Sequence, residues 1–498
     1  SRGLGDVYKR QQYDMGMLSN YDYRYFKQGN EENTAYYTVS RTKSREVSFF
    51  GTATYSYQGK YTINGTMRYE GSNKLGRSRS ARWLPTWNVS GAWNAHEEKF
   101  FSNLTSVLSH FTLKASYSLT ADRGPADVTN SQAIITSYSP YRPFTSIQES
   151  GLYIKELENS ELTYEKKHEL NIGADMGFLN NRINLAVDWY KRNNYDLIGI
   201  VNTQGAGGQI LKYANIASMK SHGIEFTLST KNIKTKDFNW NTDFIFSNAK
   251  NEVTDLKQNA NVMELISGNG FAKQGYPVRG LFSIPFVGLD KDGIPVIINE
   301  KGEATSTDIN FQERQNTGFL KYEGPTDPTI TGSLGNMFSY KGFRLNLFIT
   351  YSFGNVIRLN PVFKAYYSDL TAMTREFKNR WTLPGDEAKT NVPAILSKRM
   401  YDSNEDLKYA YNAYNYSTER IAKGDFIRLK EISLAYDFPK AWINPLKLTD
   451  LSLKVQATNL FLIYADDKLN GQDPEFFNAG GVASPVPRQF TITLRLGL

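Results

Sequence analysis

The chain has 498 residues, of which 14% are aromatic, and it carries 58 basic against 50 acidic side chains. Because cysteine is absent, disulfides, thiolate metal sites and cysteine nucleophiles are excluded. A mean hydropathy of −0.49 and the lack of an apolar run of about 18 residues exclude a transmembrane helix. They do not exclude a membrane β-barrel, because the strands of a barrel alternate apolar and polar residues and do not form such a run. The net charge of +8, without a compact basic stripe, does not favour nucleic acid as a partner.

The first eleven residues, SRGLGDVYKRQ, fit no hydrophobic period and resemble translated adaptor sequence. We therefore expect residues 1–11 to be a non-native or unstructured start. We expect residues 12–498 to be the C-terminal part of a longer protein. No signal peptide can be read in the sequence, and this says nothing about location.

The dominant pattern is alternation of apolar and polar residues with a period of two, which predicts β-strands. About fourteen such runs occur, near 12–26, 46–57, 60–70, 83–94, 110–120, 166–178, 182–192, 218–230, 237–249, 328–340, 343–353, 425–438, 449–463 and the last eleven residues. Many are longer than the roughly 5–6 residues usual in soluble proteins and suit the roughly 9–11 that cross a bilayer. Only short stretches such as 369–380 are expected to be helical.

The connections between these strands alternate between short and long. The long ones are 71–82, 121–165, 193–217, 250–327, 354–424 and 464–487. The short ones include Asn180-Asn181 and Lys341-Gly342, which are suited to tight turns. Outer-membrane barrels have short periplasmic turns and long extracellular loops, and Trp and Tyr near strand ends favour the lipid–water boundary. We therefore predict an all-β, antiparallel transmembrane β-barrel in contact with outer-membrane lipid, with its C-terminus in the periplasm and its longest extracellular loops at 121–165, 250–327 and 354–424.

One predicted strand, 425–438, disturbs the alternation. Ile432, Leu434 and Tyr436 share the outward face, and the same parity places Lys430 and Arg428 outside too. Either a β-bulge near Lys430 switches the face, or these cations lie among lipid headgroups.

Several segments carry a family resemblance. Asn379-Arg380-Trp381-Thr382 with Pro384 matches an N-R-W-T-x-P loop, and Gly424-Asp425-Phe426-Ile427-Arg428-Leu429-Lys430 matches the start of a signature strand. Asn459-Leu460-Phe461, Asp473-Pro474-Glu475 and Pro487-Arg488 match the segments that follow. In this order and spacing they resemble the TonB-dependent outer-membrane transporters of the SusC/RagA type. Glu431 stands where that family usually has Asn, and the chain ends in Leu498 rather than Phe.

The resemblance implies a 22-stranded barrel, of which this chain supplies about 14 strands without the plug domain. It further implies an outer-membrane importer of glycans or oligopeptides that pairs with a SusD-like surface lipoprotein and draws energy through TonB. One alternative is a TonB-dependent siderophore or cobalamin receptor without a lipoprotein lid, which the signature segments disfavour. Another is a secreted β-rich glycan-active enzyme or adhesin, which the alternating loop lengths disfavour.

No motif for catalysis, phosphate binding or metal binding is found, so we predict no enzyme activity, cofactor or metal site. Gly205-Ala206-Gly207-Gly208 lacks the helix that a dinucleotide site needs, and Asp290-Lys291-Asp292-Gly293 predicts a hairpin turn rather than a calcium loop. Loop aromatics are the candidates for stacking on a substrate: Tyr366, Tyr367, Tyr401, Tyr409, Tyr411, Tyr414 and Tyr416. The alternative is that these side chains pack the loop itself or the lipoprotein.

Overall fold

In a computed structural model of the chain, the described residues are 8–10, 40–42, 45–73, 75, 79–124, 133–138, 151–156, 158–202, 211–362, 374–404, 406–446, 448–477 and 487–497. The strands of these ranges are β1 (Tyr8–Arg10), β2 (Ser40–Thr42), β3 (Glu46–Tyr57), β4 (Tyr61–Ser72), β5 (Trp83–Asn94), β6 (Leu108–Asp122), β7 (Ile134–Tyr138), β8 (Gly151–Glu156), β9 (Glu165–Phe178), β10 (Ile183–Asn202), β11 (Leu211–Lys234), β12 (Phe238–Leu256), β13 (Gly280–Ser283), β14 (Phe286–Leu289), β15 (Pro295–Ile298), β16 (Ala304–Thr305), β17 (Lys321–Pro325), β18 (Ile330–Tyr340), β19 (Phe343–Phe353), β20 (Val356–Arg358), β21 (Ile421–Lys423), β22 (Phe426–Asp437), β23 (Asp450–Ala465) and β24 (Gln489–Gly497).

The α-helices of the same ranges are short: α1 (Arg79–Arg82), α2 (Val262–Ile266), α3 (Lys398–Ser403), α4 (Leu407–Asn415) and α5 (Lys440–Ile443). Within the described ranges, no helix combines the length and hydropathy that crossing a membrane requires. Of the stretch 369–380 that was predicted to be helical, the described part holds a 3₁₀ helix, Arg375–Asn379.

Thirteen strands form one antiparallel sheet in which neighbours in sequence are neighbours in space, in the order β3, β4, β5, β6, β9, β10, β11, β12, β18, β19, β22, β23 and β24. This meander confirms thirteen of the predicted strands, and β19 coincides with the predicted range 343–353. The remaining predicted strand, 12–26, lies outside the described residues.

One face of the large sheet is apolar and exposed. On β24, the side chains of Phe490, Ile492, Leu494 and Leu496 are between 56% and 74% exposed, while Thr491 and Thr493 lie on the opposite face. Each apolar residue of this row pairs across the ladder with β23, as Leu494 does with Leu453. A soluble sheet would cover such a face with a second layer, whereas a membrane barrel turns it to lipid.

The predicted long loop 193–217 is mostly strand, so that prediction was wrong. β10 continues to Asn202 and β11 begins at Leu211, with a register shift between Asn194 and Leu197. Asp196, within this bulge, has a φ of +58°. An irregular ladder interrupts the period-two pattern while it leaves the strand intact, which explains the error. The glycine run 205–208 lies outside the described residues.

Loop lengths alternate with one exception. The alternation predicted a short connection at 95–109 and a long one at 71–82. In the structure the first spans 95–107 with two 3₁₀ helices and is longer than the second, which spans 73–82. The hydrogen-bonded pairs Tyr61–Glu98 and Lys60–Glu98 tie this connection to the neighbouring β3–β4 turn, so it stays close to the end of the sheet.

The principal hydrophobic core of the described residues lies in the long connections rather than in the sheet. The described parts of the connections 257–329 and 354–425 fold together into a unit that we call the loop cap. A core cluster contains Leu265 and Ile266 of α2, Phe282 of β13 and Ala413 of α4. A parallel β-bridge between Ile284 and Ser417 joins the two connections directly.

Candidate functional site

A β-bulge at Lys430 sets the orientation of the signature strand β22. Against β19, Glu431 pairs with Phe348 and Leu429 pairs with Ile349, so Lys430 is an extra residue on β22. The bulge reverses the parity and places Arg428 on the inner face, where it is only 4% exposed. The bulge alternative is therefore confirmed, and the headgroup alternative is wrong for Arg428.

The Arg428 guanidinium holds the last long loop against the sheet. Its Nη2 donates to both carboxylate oxygens of Asp473, at 2.5 and 2.6 Å, and lies 3.2 Å from Glu475 Oε2. Asp473 also accepts the backbone N–H of Glu475 at the start of the 3₁₀ helix Pro474–Phe476. This contact joins two of the segments that carried the resemblance. It also supplies the counter-charge that the buried guanidinium of Arg428 needs.

A cavity of about 990 Å³ lies between β23 and the last long loop. It is lined by Asn360, Arg375, Arg428, Asn459, Leu460, Phe461, Leu462, Ile463, Tyr464, Ala465, Asp466, Asp467, Asn470, Gly471, Gln472, Asp473, Phe477, Pro487 and Arg488. Four family-signature residues therefore meet at one site: Arg428, Asn459, Phe461 and Arg488. The three arginines and three aspartates of the lining balance in charge.

One wall of the cavity is the end of β23. β24 pairs with β23 from Asp450 to Thr458, and β23 pairs with β22 as far as Ala465. Continued beyond Thr458, the register of β23 with β24 leads to residues 482–486, which lie outside the described residues. Asn459 has a φ of +54°, and its buried Oδ1 accepts no hydrogen bond from the described residues.

The N-R-W-T segment has a structural role in the loop cap. Trp381 Nε1 donates to Glu387 Oε2 at 2.9 Å, and the indole ring lies against Gly293. Gly293 has a φ of +75°, and a Cβ there would lie 2.6 Å from the ring. Asp290 Oδ1 accepts the backbone N–H groups of Asp292 and Ile294, which confirms the predicted hairpin turn.

The other signature residues near these segments also make main-chain contacts. Arg380 Nη1 donates to Phe377 O at 3.1 Å, and Asn379 O accepts the Thr390 hydroxyl at 2.5 Å. Gly424 N donates to Asn355 O, and Asp425 Oδ1 accepts the N–H of Gly354 at 2.7 Å.

The loop tyrosines fall into three groups. Tyr366 and Tyr367 lie outside the described residues. Tyr411 and Tyr414 are 2% exposed: Tyr411 donates its hydroxyl to Ala394 O, and Tyr414 packs edge-on against Phe286. Burial raises the pKa of Tyr414.

Tyr401 packs beside the Tyr411 cluster, Tyr416 lies 5.7 Å from the Arg358 guanidinium, and Tyr409 is 38% exposed. Tyr411 and Tyr414 thus pack the loop, as the alternative interpretation stated. Substrate contact by the set stays a prediction, and among its described members Tyr409 offers the most surface.

Arg358 is a buried residue that joins two parts of the loop cap and that sequence reasoning missed. It is 6% exposed and donates to Phe282 O at 2.5 Å, Ser283 Oγ at 3.0 Å and Ser417 O at 3.2 Å. Burial lowers its pKa to about 10. It joins the two halves of the loop cap. Its acceptors lie 59 to 76 positions away in sequence, so no local pattern signals the contact.

Within the described ranges, no group of three or more His, Asp or Glu side chains is placed to hold a metal ion.

Comparison with known proteins agrees with this geometry. The family model described as "TonB dependent receptor-like, beta-barrel" matches residues 3–460. The chain is 25% identical over 449 residues to TonB-dependent receptor P3 of Formosa agariphila, covering 86% of this chain and 42% of the relative. It is 27% identical over 494 residues to TonB-dependent receptor SusC of Bacteroides thetaiotaomicron, covering 94% and 44%. The chain thus spans less than half the length of these relatives.

A solved structure titled "Structure of the RagAB peptide transporter" has the same fold. The TM-score is 0.75 at 23% identity, and the match covers 94% of this chain and 49% of that one.

Proposed function

Because this chain belongs to the TonB-dependent receptor β-barrel family, we propose that it forms the C-terminal part of the wall of a SusC-like importer. The family is one of bacterial outer-membrane receptors and transporters rather than enzymes. The observation that carries the proposal is the thirteen-stranded meander, with its exposed apolar face and a folded loop cap on its connections.

The two edge strands of this sheet require further strands in a membrane. Within the described ranges, β3 and β24 each have a neighbour on one side only. Unpaired main-chain groups at the edge of a sheet are not stable in the bilayer, so closure needs pairing on both edges. We propose that a 22-stranded barrel supplies that pairing, and that the plug and the contact with TonB lie outside this chain.

The orientation follows from the connections. We propose that tight turns such as 341–342 lie at the periplasmic end of the sheet together with the C-terminus, and that the loop cap extends from the outer surface. The contrast between short turns and long connections supports this orientation. The exposed apolar side chains of the loop cap include Val287, Leu383 and Ile395, which are 43–68% exposed. Such a surface suits the proposed SusD-like lipoprotein partner.

The proposed substrates are glycans or oligopeptides. This follows the family resemblance, the similarity to a SusC protein and the peptide transport named in the RagAB title. A siderophore or cobalamin receptor without a lipoprotein is the alternative.

The test is to extract the full-length protein from its native outer membrane in mild detergent and to identify co-purifying proteins by mass spectrometry. We expect a surface lipoprotein in a 1:1 ratio, as a lidded importer requires. A membrane barrel without that partner would favour the small-ligand receptor, and recovery only in the soluble fraction would refute the barrel itself.

A further inference from the structure

We infer that a row of cations on the lipid-facing side of the large sheet binds the phosphate of an outer-leaflet lipid headgroup. The row consists of Lys191 of β10, His222 of β11 and Lys250 of β12, and we call it the cation row. The inference rests on the proposed importer function, because the proposed orientation of the barrel assigns the row to the outer leaflet.

The register of the sheet builds the cation row. Lys191 pairs directly with His222, and His222 pairs directly with Lys250. Residues that pair across an antiparallel ladder lie on the same face, and neighbouring strands are about 4.8 Å apart. The two lysines therefore flank His222, with their backbones about 10 Å apart.

The cation row lies on the apolar face of the sheet. Two positions along the strands from the row, Trp189 pairs with Ile224, and these side chains are 38% and 39% exposed. Two positions further, Phe226 pairs with Phe246. Pairing and alternation across β18, β19, β22 and β23 place Phe246 on the same face as Ile492 of β24. The cations thus share the face that a membrane barrel turns to lipid.

The side chains of the cation row are exposed and lack a counter-charge. Within the part of the chain that the structure describes, the three residues of the row form no ion pair. The next pair along this face is neutral, because Lys220 Nζ lies 3.0 Å from Glu252 Oε2. Like charges close together on one face of a sheet repel each other, so a bound anion would stabilise the row.

The cation row lies toward the loop-cap end of the strands. Beyond Lys250, β12 continues to Leu256 and leads into the connection 257–329, whereas the turn 235–237 joins β11 and β12 at the opposite end. In the proposed orientation the apolar residues lie in the hydrocarbon and the cation row lies at the level of the outer-leaflet headgroups. Lysine stems lie along apolar surface and hold the ammonium group at that level.

The site favours a lipid over a free anion because it has two parts. The ammonium groups and the imidazole N–H donate to phosphate oxygens. The apolar side chains next to the row, Trp189, Ile224 and Phe226, offer a surface to the acyl chains of the same molecule. Basic clusters beside membrane-spanning segments recognise phosphorylated headgroups through this combination, whereas a free phosphate would use the charged part alone.

The test uses the full-length transporter in non-ionic detergent, with bound lipid counted by native mass spectrometry. The probes are monophosphoryl lipid A and the same lipid after enzymatic removal of its phosphate. We expect the phosphorylated lipid to bind at least about tenfold more tightly. Equal binding of the two lipids would overturn the inference. Inorganic phosphate is the competitor, and if it displaces the lipid at equal concentration, the site binds a free anion and the inference is wrong.

Two double variants locate the site. Lys191→Gln with Lys250→Gln should weaken binding of the phosphorylated lipid about 25-fold, because each lysine near a charged lipid contributes a factor of about five. The control, Lys236→Gln with Lys291→Gln, removes the same charge at exposed positions of the turn 235–237 and of the loop cap, and should leave binding unchanged. Equal effects of the two double variants would refute the location. If the first double variant fails to fold, the two lipids still decide the question on the unmodified protein.

A protein is the other occupant that the row could have. Cross-linking of Lys191 or Lys250 to a second copy of the chain or to an acidic protein, with no lipid bound, would also overturn the inference. Its failure is distinct from failure of the proposed function. A lipoprotein-bound importer without lipid at the cation row would refute only the lipid site, and a lipid-binding barrel without a lipoprotein would refute only the lidded importer.

Discussion

Replacing Asp473 by Asn should release the last long loop from the sheet. In the native structure the Arg428 side chain is 5% exposed and the Asp473 side chain 8% exposed, with both carboxylate oxygens accepting from the guanidinium. The substitution leaves a buried cation without its main partner. Glu475 remains 3.2 Å away, but its side chain is 41% exposed and compensates only in part.

The magnitude follows from the burial. Breaking a buried ion pair by removing one partner costs about 3–5 kcal/mol. With partial compensation by Glu475 we expect about 3 kcal/mol, which is a rise of roughly 100-fold in the open population of the loop. The Asp473→Asn variant should therefore exchange its amides in residues 466–477 about 100 times faster.

The assay is hydrogen–deuterium exchange with mass spectrometry on the full-length transporter, because protection reports the free energy of local opening. The control is Asp450→Asn, which removes an ion pair with Lys440 at 3.8 Å whose side chains are 76% and 72% exposed. Exposed pairs contribute about 0–1 kcal/mol, so this variant should change little. If Asp473→Asn accelerates exchange less than about threefold, or no more than the control does, the argument from buried charge is refuted.

Three further predictions concern the loop cap. Gly293→Val should destabilise the Trp381 contact by about 2 kcal/mol, because φ is +75° and the indole ring blocks a side chain. The control, Gly302→Val, has a φ of +81° but open space around it, so it should cost only backbone strain. Hydrogen–deuterium exchange of the amides in the two hairpins distinguishes the variants. Tyr411→Phe should cost about 1 kcal/mol, measured by the same exchange, through loss of one buried hydroxyl bond, and an unchanged protection would contradict the assigned bond. Hydrogen bonds from the backbone and from neighbouring side chains lower the pKa of Asp386 to about 2. The contribution of Asp386 to stability is therefore present above its usual pKa of 3.8 and is lost as pH falls through about 2. Limited proteolysis between pH 5 and pH 2, at about half-unit steps, should show this loosening in the native loop and not in Asp386→Asn.

The sequence by itself determined the strands of the sheet. Period-two alternation is a local property, because each residue pair fixes which side chains share a face, and β19 and β24 follow it without interruption. The tight turns at Asn180-Asn181 and Lys341-Gly342 were also predictable, because Asn and Gly tolerate the positive φ that the turns require. Where a bulge interrupts the alternation, as in β10, the local signal was lost and strand was taken for loop.

Only the tertiary structure decided the site. The alternation of β22 indicated either a bulge near Lys430 or cations among lipid headgroups, and only the pairing with β19, which shows Lys430 as an extra residue, decided that Arg428 faces the interior. The partner of Arg428 lies 45 residues away in a loop, so no local pattern signals the contact. Local sequence patterns specify strands and faces, but contacts between distant segments depend on how the whole sheet aligns, and the cavity is formed by those contacts.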